Sequence, residues 1–545
     1  MLRRLVSHST TRLAVVPALV AVTVAAVATA GPATGQTRED TAGDVYIPGR
    51  YTAQVLDWHP CAEGELPPSA REGVDELECA SYRTPLDWNN ADERLDITIA
   101  VSRLPSTGAT TDSLLINPGG PGAPGRTYAA KVYHRDRVRE HHEVIGFDVR
   151  GTGGSDNVTC GGGVGTEFQF DMRDRSAGNL DAILDHVEGT VDDCHQLSGD
   201  LGPLVNQFQT IRDLNLLRIL LHRDKIDWLG FSAGTWLGAH YAQRFPEHVD
   251  KVVLDSVGDL TLSLHESWDQ QPPAFERRWR TDFLPWLAKY HNQYGYGTTA
   301  EAALLTYEEV RAALAEEPVE LGGLPLGPSQ YDWDIDGGLY WKGYFADTAD
   351  YMAAVRTLVD ERSTAGEKSA ARTTAEKVVA KRDRGPGGPR PLVAGDYATA
   401  AYDDAYDASF WHYSCNDGPI TGDRRSQIAN STEQGTRYPK IGWSWVALPC
   451  IFWDNRPAEQ QELDGEGVPP VLMVQSERDP ATPIEGARNA HEAFEGSRMV
   501  TITDDGNHGI YADDNTCAND VVEDYLVGGV VPEDRTCPGT PLPTP

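Results

Sequence analysis

The sequence predicts an α/β fold, a mostly parallel β-sheet covered by helices on both faces, interrupted by a largely helical insertion. Three observations carry that prediction. Short apolar runs alternate with helical stretches through residues 95–258, the rhythm of strands joined by crossover helices. One of these runs, 225–229, leads through Gly230-Phe231-Ser232-Ala233-Gly234 into a helical stretch, the strand, sharp turn and helix that lift a serine clear of a sheet. The rhythm stops near residue 259 and resumes near 468, so the intervening stretch reads as an insertion into one sheet.

At the amino end, Arg3, Arg4 and Arg12 precede an apolar run over 13–27, and Ala28-Thr29-Ala30 supplies small residues for cleavage. This predicts a signal peptide over residues 1–30. The run contains Pro17 and many alanines, and no later segment reaches a spanning length, so no membrane association is expected once the signal is removed. Export accounts for the 8 cysteines, all beyond the signal segment; an even number in an exported chain is expected to pair. Sequence neighbours suggest Cys61 with Cys79, Cys160 with Cys194, Cys415 with Cys450 and Cys517 with Cys537. None has the C-x-x-C spacing of a zinc or redox site, and no metal or other cofactor is expected. The formal net charge of -35 repels phosphate backbones and anionic lipid, which excludes nucleic acid as a partner.

Residues 95–104 alternate as a strand, and 113–116 form a second that runs into Asn117-Pro118-Gly119-Gly120-Pro121-Gly122. Such a loop offers close-approaching backbone N–H groups to an oxyanion; without a terminal Lys-Ser/Thr it is not a phosphate-binding Walker loop. Residues 143–147 are the next strand and deliver Asp148-Val149-Arg150-Gly151-Thr152-Gly153-Gly154-Ser155, where Asp148 and Arg150 are an ion-pair candidate bracing loops beside the site. A helix over 210–221 precedes the strand 225–229. After the serine, a helix over 233–244 carries Leu237, His240 and Tyr241 at helical spacing and stops before Pro246. A Cβ at Gly230 or Gly234 would collide with the neighbouring strand or helix. Residues 249–254 form the following strand.

From 259 to 467 Trp, Tyr and Pro are frequent, helical stretches appear at 300–316, 351–359 and 371–382, and no buried-strand run is obvious. Residues 384–390 read as an exposed loop. The acids Asp332, Asp334 and Asp336 suggest calcium but lack the glycine and distal glutamate of an EF-hand loop. The strand 470–475 then delivers Ser476-Glu477-Arg478-Asp479-Pro480-Ala481-Thr482-Pro483, and 497–503, read as the last strand, delivers Asp504-Asp505-Gly506-Asn507-His508-Gly509.

Acyl-bond hydrolysis by a serine needs a nucleophile, a base, an acid that fixes the base's tautomer, and donors for the oxyanion. Ser232, Asp479 and His508 satisfy the chain order Ser, acid, His, and each follows a strand-like run. Asp255, at the end of the strand 249–254, competes for the acid role. His240 reads as packed on its helix, and His141 and His142 have no partner acid signalled. The oxyanion donors are expected to be the N–H of Ala233 with that of Gly119 or Gly120.

Together these motifs make the chain resemble the secreted tripeptidyl aminopeptidases of the proline iminopeptidase family, which have the α/β-hydrolase fold. The resemblance implies three parts after the signal: core residues 31–258 with the oxyanion loop and nucleophile elbow, a helical cap over 259–467, and core residues 468–545 with the acid and histidine. It also implies a secreted serine exopeptidase acting on peptides with a free N-terminal amine, held by acidic cap residues and released as short peptides. A monomer is expected. The rival readings are an extracellular carboxylesterase or lipase with the same triad, and a binding protein on a hydrolase scaffold.

Overall fold

The computed structural model describes residues 46–545 except 70, 110–111, 383–403, 454–456 and 459–460. The expected signal peptide and the loop 384–390 lie outside these residues. Ten strands form one sheet: β1 (His59–Pro60), β2 (Glu78–Pro85), β3 (Asp96–Leu104), β4 (Asp112–Asn117), β5 (His142–Phe147), β6 (Ile226–Phe231) and β7 (Val249–Asp255), then, after the hairpin β8 (Val319–Leu321) and β9 (Leu324–Leu326), β10 (Val471–Ser476), β11 (Arg498–Thr503) and β12 (Arg535–Pro538). Their spatial order is β1-β2-β3-β5-β4-β6-β7-β10-β11-β12. β1 to β3 are joined, and β3 is joined to β5, by antiparallel ladders; every pairing from β5 to β12 is parallel.

Side chains along a strand point alternately to opposite faces, and both faces here are apolar. Leu115, Trp228, Val252, Leu254, Val471 and Met473 enter one core, with the helices Gln207–Leu220, Ala233–Arg244 and Ile484–Ala493. Leu114, Ile116, Leu229, Val253, Leu472 and Val474 enter the other, with Tyr128 and Val132 after β4 and with the helix Thr516–Gly528. Burial on this scale, about 1.5–3 kcal/mol for each large apolar side chain, is what makes a near-continuous apolar run stable as a central strand.

Between β7 and β10 the chain is mainly helical and builds an apolar cluster of its own from Phe275 through Trp445, rich in aromatics such as Trp279, Phe283, Trp286 and Tyr307. Other residues of the same stretch, Ala408, Tyr413, Cys415, Cys450 and Trp453, pack into the sheet's first core. Disulfides join Cys61 to Cys79, Cys160 to Cys194, Cys415 to Cys450 and Cys517 to Cys537, the pairing expected from sequence neighbours.

Three local expectations are corrected. β11 is not the last strand, because β12 adds beyond it. Asp148 and Arg150 do not pair with each other: Asp148 binds Arg126 (2.6 Å) and Arg150 binds Asp213 (2.8 Å), both pairs buried. His142 does have an acid, Asp227 at 2.8 Å. The carboxylates of the 331–336 stretch lie on the helix Pro328–Gly337 and are taken up by neighbours, Asp332 by Arg311 and Tyr307, Asp334 by Gln330 and Tyr351, Asp336 by Lys440.

Candidate active site

The turn between β6 and the helix Ala233–Arg244 puts Ser232 at φ 54° and ψ -128°, a strained conformation for a residue with a Cβ and the mark of a nucleophile elbow. The flanking glycines are required by space. A Cβ on Gly230 would stand 2.2 Å from the Gly234 carbonyl oxygen, and one on Gly234 2.7 Å from Asn117 Oδ1. The turn is held from below and behind: Ser232 N–H donates to the Asp255 carbonyl (3.0 Å), and Thr235 donates its N–H and its hydroxyl to the Ser232 carbonyl.

The loop after β4 lies against this elbow. Gly119 and Gly120 have φ of 92° and 108°, and a Cβ on Gly119 would meet Phe231 O at 2.4 Å, Ala233 N at 2.9 Å and Ser232 Cβ at 2.9 Å. Gly119 N–H is already donated to Asn117 Oδ1 (2.9 Å). Among the described residues the N–H groups of Gly120 and of Ala233 meet no acceptor, and Ala233 opens a helix whose partial positive end faces the elbow.

Asp479 follows β10 and His508 follows β11. His508 Nδ1 is 3.0 Å from each Asp479 carboxylate oxygen, and Asp479 is fully buried. Its Oδ1 accepts the N–H groups of Ala481 and Thr482 (2.9 Å each), and the Thr482 hydroxyl reaches both Asp479 Oδ2 (3.1 Å) and His508 Nδ1 (3.3 Å). These bonds fix the carboxylate and orient the imidazole. β6 is separated from β10 only by β7, so the serine and acid strands are two steps of about 4.8 Å apart, a gap that one imidazole can span.

Asp255, the competing acid, has another partner. Its carboxylate accepts the N–H groups of Ile510 (3.0 and 3.1 Å) and Tyr511 (2.6 Å), while the Ser256 hydroxyl accepts Gly509 N–H (2.7 Å). Burial pushes the Asp255 carboxyl up to about 7, against the pull of the Tyr511 and Ile510 N–H groups. It therefore clamps the backbone that leaves His508. His240 is half-buried on the elbow helix, its pKa lowered to about 4 by burial.

The insertion contributes contacts the sequence did not signal. Tyr340 stacks edge-on against the His508 ring (centroids 5.4 Å apart) and its carbonyl accepts His508 N–H at 2.7 Å. These partners lie some 168 positions apart along the chain. Thr482 carries a weak signal, since Asp-x-x-Thr suits a side-chain-capped turn.

A ten-stranded, mainly parallel sheet with a serine elbow at the end of one strand and an Asp and a His on loops two and three strands away defines an α/β-hydrolase of the serine-hydrolase class. Two family models match, one described as "alpha/beta hydrolase fold" over residues 112–293 and one as "TAP-like protein" over 438–537. The "Tripeptidyl aminopeptidase" of Streptomyces coelicolor is 31% identical over 526 residues, covering 92% of this chain and 90% of that protein. "Serine protease Hip1" of Mycobacterium tuberculosis is 25% identical, with 88% and 90% covered, and "Carboxylesterase B" of Mycobacterium tuberculosis is 26% identical, with 92% and 93% covered. The chain belongs to the tripeptidyl aminopeptidase-like (TAP-like) family of α/β-hydrolases. Among the described residues no helix is long and apolar enough to cross a membrane.

Proposed function

We propose that the chain is a secreted serine exopeptidase that removes short peptides, tripeptides foremost, from the free amino end of its substrates. Ser232 is the nucleophile, His508 the base and Asp479 the orienting acid. The observation that carries the catalytic part is the His508-Asp479 pair at 3.0 Å at the carboxyl ends of the parallel strands, where the Ser232 elbow also lies. His508 Nε2 takes the Ser232 proton as Oγ attacks the scissile carbonyl, and the negative oxygen is received by Ala233 N–H and Gly120 N–H. Gly119, the other candidate, has its N–H committed to Asn117. His508 then protonates the leaving amine, and water, activated by the same base, releases the peptide from Ser232.

The exopeptidase part is supported by the likeness to a tripeptidyl aminopeptidase over 92% of the chain and by the large insertion between β7 and β10, which we read as a cap over residues 259–467. Four disulfides fit an oxidising compartment, in keeping with secretion. An amino end enclosed under a cap must meet carboxylates, since an unpaired buried charge costs several kcal/mol. The test is turnover of free and N-acetylated tripeptidyl amides beside simple esters. The free peptide should be cleaved at least about 100-fold faster than its acetylated form, roughly 2.7 kcal/mol at the transition state. Equal rates, or ester cleavage with no peptide cleavage, would assign an endopeptidase or an esterase instead.

A further inference from the structure

The loop that carries His508 is held by the insertion as well as by the sheet. Three hydrogen bonds tie the segment just after the helix Pro328–Gly337 to it. Tyr340 O accepts His508 N–H (2.7 Å), Lys342 N–H donates to Asn507 Oδ1 (2.9 Å), and Lys342 Nζ reaches Asp505 Oδ2 (2.6 Å) as well as Thr540 O (2.8 Å). Lys342 and Asp505 are each only 5% exposed. The second oxygen of Asp505 turns back into its own loop, accepting the N–H groups of Gly506 (2.7 Å) and Asn507 (3.0 Å). The ammonium of Lys342 therefore sits at the head of a relay: it fixes Asp505, Asp505 fixes the two residues that precede the histidine, and the histidine's own N–H closes on Tyr340.

Neighbouring contacts make the anchor rigid. Arg278, fully buried, donates Nε to Leu339 O (3.1 Å) and pairs with Asp282 (2.5 Å). Asp282 in turn binds Arg478 (2.9 Å), the residue before Asp479, and Arg478 N–H donates to Asp505 O (2.8 Å). A Cβ on Gly506 would stand 2.4 Å from Arg278 Nη1, so loop and insertion leave no slack between them.

We propose that Lys342 is a positioning residue for His508, and that through it the insertion sets the histidine's distance from Ser232. This rests on the reading of Ser232, His508 and Asp479 given above. The insertion on this side is then a fixed wall of the catalytic apparatus, and turnover requires it docked. Removing the ammonium leaves Asp505 Oδ2 with the Thr540 N–H (3.3 Å) as its remaining hydrogen-bond partner and the charge of Arg278 nearby, a loss its loop relieves by moving toward solvent and carrying His508 with it.

Lys342→Met tests this beside the parent and Ser232→Ala. The readings are kcat and KM on a tripeptidyl amide with a free amino end, normalised to sites titrated by a fluorophosphonate, with the rate of phosphonate labelling and Tm. For Lys342→Met, kcat per titrated site and labelling rate should fall together by about 100-fold, the scale of a misplacement of about 1 Å, with KM within about threefold of the parent. Lys342→Arg keeps the cation and the main-chain bond and should restore kcat to within about tenfold. Unchanged kcat per titrated site in Lys342→Met, or a loss of activity matched by a loss of titratable sites, overturns the proposal. If Lys342→Met does not fold, Asn507→Ala, which removes only the acceptor of Lys342 N–H, is read the same way, with a fall of about tenfold expected and none overturning it. Turnover by Ser232→Ala would sink the triad reading itself; an inactive Ser232→Ala beside an unaffected Lys342→Met sinks only this inference.

Discussion

Replacing Gly119 by alanine should disable the enzyme while leaving it folded. The added methyl would stand 2.4 Å from Phe231 O and 2.9 Å from both Ala233 N and Ser232 Cβ. Two of these three atoms are backbone and the third is the first atom of the serine's side chain, so nothing can swing aside. Restoring ordinary van der Waals separation, in an interior already close-packed, moves the glycine loop and the elbow apart by roughly 1 Å. The φ of 92° at this position adds strain of about 1–2 kcal/mol for any residue with a Cβ. The same displacement separates the Gly120 and Ala233 N–H groups that we assign to the oxyanion, and losing one such donor lowers kcat by about 10²–10³, or 2.7–4 kcal/mol. The assay is kcat on a tripeptidyl amide per phosphonate-titrated site, with Tm measured alongside. Gly162→Ala is the control: its φ of 78° carries comparable strain, but nothing lies within 4 Å of the new methyl. It should lose stability and keep kcat. A Gly119→Ala enzyme with full kcat, or a Gly162→Ala enzyme that loses as much, would refute the reasoning.

Three further outcomes are expected. Asp479→Asn should lower kcat by about 10⁴, the scale for losing the acid that orients the base; an active Asp479→Asn beside an inactive, normally melting Asp255→Asn would exchange the two roles. Asp417 is buried, with one oxygen accepting Gln207 N–H (2.8 Å) and the other without a partner among the described residues, and burial pushes its pKa up to about 8. The unfolded chain gives up this proton near pH 3.9 while the native state keeps it, so the parent loses stability with rising pH across that window. Asp417→Asn should therefore gain on the parent by up to about 1.4 kcal/mol per pH unit from pH 4 to 8 and no further above; a difference that does not change with pH in urea melts would exclude it. Gly189 is exposed inside the helix Ala177–Ser198 with nothing within 4 Å of an added Cβ; Gly189→Ala should raise stability by about 0.5–1 kcal/mol, and a lower Tm would mean that this helix is misplaced.

The central strands were legible because β4 to β7 and β10 are covered on both faces over most of their length, and a strand buried on both faces leaves a near-continuous apolar run. β2 and β12 were not. β2, Glu-Cys-Ala-Ser-Tyr-Arg-Thr-Pro, shows solvent its Ser81 and Arg83 and ends in a proline, and β12 has a single buried residue, Cys537. The helix Ala177–Ser198 went unread although its buried residues Leu180, Ile183, Leu184, Val187, Val191 and Cys194 recur at helical spacing. Ser232, Asp479 and His508 were legible because each sits in a turn whose local chemistry is written in adjacent residues. What holds them was not: Asp255 reaches Tyr511 across 256 positions and Lys342 reaches Asp505 across 163, and contacts of that range leave no periodicity to read. Asp148 and Arg150 mislead for the same reason, since neighbours along a turn look paired while each finds its partner elsewhere.

The end of β7 gives the site a common reference point. Asp255 takes the N–H of Ser232 on its main-chain oxygen and those of Ile510 and Tyr511 on its side chain, so Ser232 and the segment that leaves His508 are both hung from one residue. A displacement of that residue would carry both in the same direction and leave their separation nearly unchanged. Only distortions that act on one of the two, such as a loosened insertion or a crowded glycine loop, alter the gap that the proton must cross. On the proposed mechanism the reaction distance is thereby insulated from movements of β7 and exposed to those of the insertion and the glycine loop.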